Sequence, residues 1–200
     1  MDGERIEFPR GLLFDMDGTI TRPMLDFARI RAEMGITSGP MLAALAKMSA
    51  AERAVAEEVL LRHEKKAAGE SELNSGCETL FEWIGEREIP VALITNNSRA
   101  SLTTVMERHQ LSFHVMITRE DGAFKPDPSP LLSACAQLKT APEQVWMIGD
   151  GQYDVEAGNA AGIRTVWISH HAPRPFAAEP WKTVGHLGEL LEILRELARD

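Results

Sequence analysis

Five short apolar runs recur along this 200-residue chain: Leu12–Phe14, Val91–Ile94, Val115–Ile117, Val145–Ile148 and Thr165–Ile168. None of them alternates apolar with polar residues. A strand with one wet face must alternate, so near-continuous runs predict strands of a parallel sheet covered on both faces. Helical spacing fills the intervals at Cys77–Arg87, Arg99–His109, Pro130–Leu138 and Val155–Ala161. Leu187, Leu190, Leu191, Leu194 and Leu197 then mark one face of a closing helix. Strand–helix alternation of this kind predicts an α/β fold, a doubly wound parallel sheet with right-handed crossovers. Ligands of such sheets bind in the crevice beyond the carboxyl ends of the strands.

The residues at those ends are chemically distinctive. Asp15-Met16-Asp17-Gly18-Thr19 follows the first run, and Gly18 lets the backbone turn. One carboxylate of such a pair can serve as nucleophile or metal ligand and the other as proton carrier. The segment is not a calcium loop, because counting from Asp15 puts Ile20 where glycine is needed and Asp26 where glutamate is needed. Thr95 ends the second run. Asn96-Asn97-Ser98 follows it, with turn chemistry and helix-start N–H groups suited to phosphate.

Lys125 lies in Phe124-Lys125-Pro126, in a loop stiffened by Pro126 and Pro128, where a cation would serve a phosphorylated carboxylate. Gly149-Asp150 ends the fourth run, with Asp154 four residues on. That segment mimics a dinucleotide fingerprint, but Asp154 stands at its third glycine and would repel a pyrophosphate. The acids suit Mg²⁺ instead, a hard cation that takes a few carboxylates and phosphate oxygens. The competing roles are a helix cap for Asp150 and a purely structural acid for Asp154.

Residues 21–74 interrupt the rhythm. They hold no strand candidate and predict helices at Leu25–Met34, Pro40–Lys47 and Ala51–Ala68, separated by Gly35, Ser38-Gly39-Pro40 and Ser49. Phe27, Ile30 and Met34 repeat at helical spacing, as do Ala51, Val55 and Val59, and both stripes are expected to pack. The segment is expected to form a small helical subdomain. Arg22, just behind the first turn, either reaches substrate or is solvated.

The formal charge of −9 argues against nonspecific nucleic-acid binding. No apolar stretch approaches the roughly 20 residues of a membrane span. The amino terminus is too polar for a secretory signal, and Cys77 and Cys135 are expected to be reduced thiols in a cytoplasmic protein. The histidines show no metal spacing, and His170-His171 is expected in a surface loop among prolines. A monomer or homodimer is expected.

Taken together, DMDGT, Thr95 in LITNNS, Lys125 in FKPDP and GDGQYDVEAGNAAG resemble the signature set of the haloacid dehalogenase (HAD) superfamily. The inserted helices are similar to the C1-type cap of its phosphoglycolate phosphatase and β-phosphoglucomutase subgroup. The resemblance implies a Rossmann-like catalytic core from residues 1–20 and 75–200 and a cap at 21–74. It implies Asp15 as the nucleophile that becomes phosphorylated and Asp17 as acid/base, its backbone carbonyl a metal ligand. Thr95, with Asn96 beside it, would bind phosphate, and Lys125 would neutralise the phosphoryl oxygens. Asp15, Asp17 and Asp150 would hold Mg²⁺, supported by Asp154, Gly18 and Thr19.

The expected activity is Mg²⁺-dependent hydrolysis of a small phosphorylated metabolite, phosphoglycolate-like or a sugar phosphate, through an aspartyl phosphate. Dehalogenation is disfavoured, since it needs neither magnesium nor a proton donor at position 17. A phosphomutase of the β-phosphoglucomutase type is the alternative. From another class, a phospho-receiver or binding module without turnover would share the acids, threonine and lysine, but would have no use for a cap.

Overall fold

The computed structural model describes residues 6–199. Six strands, β1 (Gly11–Phe14), β2 (Val91–Ile94), β3 (Val115–Ile117), β4 (Val145–Gly149), β5 (Arg164–Ile168) and β6 (Lys182–Val184), form one sheet in the order β3-β2-β1-β4-β5-β6. Every neighbouring pair is parallel. The chain leaves β1 toward β2 and β3, then returns to its other side for β4. The order therefore reverses at β1, and a crevice opens beyond β1 and β4.

The unbroken apolar runs have a direct physical cause. Successive side chains of a strand point to opposite faces. Leu12 and Phe14 pack with Leu93, Trp146 and Ile148 under α4 (Cys77–Glu86), α5 (Arg99–His109) and α8 (Leu187–Leu197). Leu13, Ala92, Ile94 and Met147 face the other way, under α6 (Ser129–Leu138) and α7 (Gln152–Ala161). Each fully buried Leu or Phe contributes about 1.5–3 kcal/mol, so both layers resist a polar substitution. Strand β6 escapes the apolar-run criterion because most of it is not buried and two of its three residues are polar. Of its three residues only Val184 is buried, while Thr183 is exposed.

Between β1 and α4 the chain forms α1 (Phe27–Glu33), α2 (Met41–Leu45) and α3 (Ala50–Glu70). Ser49 caps α3, accepting from Glu52 N, and Glu52 returns a bond to Ser49 N. Ile30, Met34, Ile36, Leu45, Ala56 and Leu60 form a separate small core among these helices. The neck consists of Thr21 paired with Leu73 and Arg22 N donating to Glu72 O at 2.9 Å. Arg22 itself makes a solvated ion pair with Glu72 at 2.9 Å.

Of the two packing stripes expected in this segment, Ile30 and Met34 are buried in that small core, while Phe27 and most of the α3 stripe are not. Phe27 is 54% exposed and Val55 65% exposed. The buried face of α3 is instead Ala56, Leu60, Glu64, Ala67 and Ala68. Of Ala51, Val55 and Val59, only Val59 packs against that small core, while Ala51 and Val55 are exposed. The C-terminal end of α3 lies against α5, and there Arg108 Nε donates to Ser71 O and Ser71 Oγ meets His109 Nε2, each at 2.9 Å.

Candidate active site

Asp15 leaves the end of β1, its N–H donating to Ile148 O of β4 at 2.9 Å. Lys125, almost fully buried, reaches it from the loop before α6, and Lys125 Nζ donates to Asp15 Oδ1 and Asp154 Oδ1, both at 2.6 Å. Asp154 sits in the first turn of α7 and accepts Gly151 N on its other oxygen at 3.0 Å, which anchors it to the helix start. Gly151, not Asp150, is the N-cap of α7. The Asp150 carboxylate is therefore left to face the crevice.

The two glycines are dictated by close approach. A Cβ on Gly18 (φ +81°) would lie 1.9 Å from Asp150 Oδ2, and one on Gly149 would lie 2.3 Å from Asp154 Cγ. Three carbonyls of the turn, those of Gly18, Thr19 and Thr21, accept from Asn74 Nδ2 at 2.8–2.9 Å. Thr19 is fully buried, and its hydroxyl has no hydrogen-bond partner among the described residues.

Asp15, Asp150 and Asp154 each offer an oxygen within 4.8 Å of the others. Burial, reinforced by Asp15 and Asp154, pushes the Asp150 carboxyl up to about 8. Burial also pushes Asp15 to about 7, with Lys125 opposing and Asp154 and Asp17 adding to it. Burial disfavours the Lys125 ammonium, but Asp15 and Asp154 outweigh it and hold the group above its ordinary range. Lys125 and Gly151 occupy both oxygens of Asp154, whereas Lys125 takes only Oδ1 of Asp15, so an Asp15 oxygen and the Asp150 carboxylate remain for a cation. A hard divalent cation fits this donor set.

Asp17 is placed differently from Asp15. Its carboxylate accepts from Asn97 Nδ2 and, at 3.4 Å, from Thr21 Oγ1. Burial raises its pKa, Asn97 lowers it, and Glu64 raises it. One acid is thus locked to an ammonium while the second is held by neutral donors beside the cavity. Thr95 is buried at the end of β2, its Oγ1 accepting from Asn97 N at 3.1 Å.

The side chain of Asn96, a residue expected to bind phosphate, is engaged by the Lys125 backbone. Its Oδ1 accepts Lys125 N at 3.0 Å, and its Nδ2 donates to Lys125 O at 2.8 Å. Asn96 thereby positions the lysine loop.

Three participants escaped the sequence reading. Asn97 holds Asp17, as described. Glu64 is buried and accepts Ser98 N at 3.2 Å together with both guanidinium nitrogens of Arg119. Its register offered a signal, since it follows Leu60 by four residues and precedes Ala68 by four. His170 does sit on an exposed loop, yet its Nε2 lies 2.7 Å from Gly18 O.

A cavity of about 370 Å³ opens over the acids. Leu25, Phe27, Met41, Leu42 and Leu60 form its apolar wall, and Arg31 is the cation that α1–α3 bring to it. Gln152 and Tyr153 line it from the core.

The family model for haloacid dehalogenase-like hydrolases matches residues 25–168. The chain belongs to that family. Among its relatives, phosphoglycolate phosphatase of Xanthomonas campestris pv. campestris is 29% identical, covering 80% of this chain and 83% of its own. N-acetylmuramic acid 6-phosphate phosphatase of Pseudomonas aeruginosa is 28% identical over 92% of this chain and 94% of its own. A crystal structure of a hydrolase from Pseudomonas syringae superposes with a TM-score of 0.80 at 17% identity, covering 94% of this chain and 98% of that one. This HAD hydrolase is an enzyme of the phosphatase class, and its doubly wound parallel sheet is the one those structures share. No helix among its described residues is long and apolar enough to cross a membrane.

Proposed function

We propose that this HAD hydrolase is a Mg²⁺-dependent phosphatase that cleaves a small phosphate monoester through an aspartyl phosphate on Asp15. The observation that carries the reading is the separation of two neighbouring acids, Asp15 bound to Lys125 and Asp17 held by Asn97. An Asp15 oxygen attacks phosphorus, and the bond from phosphorus to the ester oxygen breaks as the Asp17 carboxyl gives that oxygen its proton. The Asp17 carboxylate then takes a proton from water as the water oxygen bonds phosphorus, and the Asp15–phosphorus bond breaks to release phosphate. Its raised pKa suits Asp17 to both tasks.

Lys125, with Thr95 at the neighbouring strand end, is placed to meet the phosphoryl oxygens. Asp15 and Asp150, with the Asp17 carbonyl, would hold Mg²⁺, which when bound offsets the repulsion between carboxylate and phosphate.

The cavity favours an ester of an acid over a polyhydroxylated sugar. Its cap-side wall is apolar apart from Arg31 and from Glu64, whose charge Arg119 already balances, so a leaving group gains from a carboxylate opposite Arg31. The two named relatives are a phosphoglycolate phosphatase and an N-acetylmuramic acid 6-phosphate phosphatase, the second substrate being a sugar that carries a carboxylate. A mutase would have to hold a second phosphate, and Arg31 alone is a poor match for that charge.

The test is turnover of a panel of phosphorylated acids and sugar phosphates with Mg²⁺, combined with trapping of the phosphoenzyme. Wild type should label at Asp15, and Asp15→Asn should lose labelling and turnover while keeping its circular dichroism. Asp17→Asn should slow turnover by about 10²–10⁴-fold. Near-normal turnover by Asp15→Asn would exclude the covalent route.

A further inference from the structure

We propose a second metal site, for Zn²⁺ or a similar borderline divalent cation, at His171, His186 and Glu189, on the far side of the His170-His171 turn from the acid cluster. The three residues come from two segments. His171 lies between β5 and β6, His186 caps α8, and Glu189 stands in the first turn of α8. One ligand atom of each lies within 4.8 Å of the other two, and His186 Nε2 is 3.7 Å from Glu189 Oε1. Zn–N bonds of about 2.0–2.1 Å put tetrahedral ligands about 3.4 Å apart, so that pair already stands near the required spacing. Side-chain rotation of the exposed His171 and Glu189 closes the rest.

Four further observations converge here. His186 Nδ1 is enclosed and has no hydrogen-bond partner among the described residues. A cavity of about 340 Å³ is lined by His170, His171, Gly185 and His186. Gly185 leaves room for both side chains, since a Cβ there would lie 2.2 Å from the His171 ring and 2.8 Å from Glu189 Oε1. Its N–H donates to Glu189 Oε2 at 2.8 Å, the outer hydrogen bond that orients a ligating carboxylate.

His170 and His171 both adopt left-handed backbone, at φ 49° and 59°, where histidine is uncommon. The turn sends His170 to Gly18 O and His171 to His186, so the fold holds an unfavourable backbone that places both rings. Two imidazoles and a carboxylate suit zinc and other imidazole-seeking cations rather than Mg²⁺, with water completing the shell. A cation here would tie the β5–β6 loop to α8.

The experiment titrates the full chain with Zn²⁺, and with Co²⁺ as spectroscopic probe, in excess Mg²⁺ so that the acid cluster is occupied. The variants are His171→Asn, which tolerates left-handed backbone, and His186→Asn, which keeps an N-cap residue. Wild type should bind one Zn²⁺ per chain, show the intense visible bands of four-coordinate Co²⁺, and melt several degrees higher with Zn²⁺. Each variant should fold as wild type does, yet bind at least about tenfold more weakly and lose the bands. Absence of Zn²⁺ binding by wild type in excess Mg²⁺ would overturn the site, as would stoichiometry and spectrum unchanged in both variants.

Discussion

Glu64 of α3 and Arg119 of the core form a buried ion pair across 55 residues of sequence, with both guanidinium nitrogens on the two carboxylate oxygens. Arg119 also donates to Asn96 O at 3.0 Å, and Glu64 accepts Ser98 N. The pair thus joins the inserted helices to the backbone that positions Lys125. It also makes α3 a fixed part of the wall, on which α1 and α2 pack through their small core.

Removing one member of a buried, hydrogen-bonded pair strands the other charge, at a cost of about 3–5 kcal/mol. Glu64→Ala should therefore lower the melting temperature markedly, while Glu64→Gln, which keeps an acceptor for Ser98 N, should lose less. Equal melting temperatures for Glu64→Ala and wild type would show the pair to be energetically idle. Hydrogen exchange should be slower in the second half of α3 than in α1 and α2.

Arg31 can be separated from general phosphatase function. Wild type should prefer 4-carboxyphenyl phosphate to phenyl phosphate, and Arg31→Met should erase the preference by roughly tenfold or more in kcat/KM, the scale of a lost charge-assisted hydrogen bond. Phenyl phosphate hydrolysis should persist. A preference that survives in Arg31→Met would place the anion contact elsewhere.

The metal-free protein should lose stability as pH rises. Asp150 has an ordinary pKa of 3.8 and a folded pKa of about 8, and Asp15 is shifted the same way to about 7. Between those limits the native state binds more protons than the unfolded state, so unfolding free energy falls with pH. The melting temperature in chelator should drop from pH 5 to pH 8, a window above the titration of lowered acids such as Asp121. Mg²⁺ should restore more of it at pH 8 than at pH 5. A melting temperature flat across that range would mean the acids are ionised without penalty.

Replacing residues 27–46 with a short Gly/Ser linker should leave the fold and weak aryl phosphatase activity, because α1 and α2 pack chiefly on their own small core with α3. Selectivity among metabolites should disappear with Phe27, Arg31, Met41 and Leu42. Deleting residues 22–73 is a different matter. It removes Glu64 from Arg119 and Ala68 from the main core, and should destabilise the whole chain. A 27–46 replacement that keeps full preference for one metabolite would assign specificity to the core.

The sequence determined β1 to β5 and the places of Asp15, Thr95 and Asp150, because a doubly buried strand must be apolar throughout and its first polar residue marks its end. Lys125 was legible through its proline-flanked loop, and Asp154 through its spacing from Asp150. The partners of these residues were decided by tertiary structure. Asn97 finds Asp17 across 80 residues, Glu64 finds Arg119 across 55, and His170 finds Gly18 across 152. Nothing local distinguishes Asn97 or His170 from a solvated side chain, and Glu64 is marked only by its register with Leu60 and Ala68. The buried face of α3 was likewise undecided by periodicity, since adjacent faces of a helix carry similar patterns until a neighbour such as α5 covers one of them. Edge strand β6, with one wet face and three residues, carries too little apolar signal to stand out before β5 pairs with it.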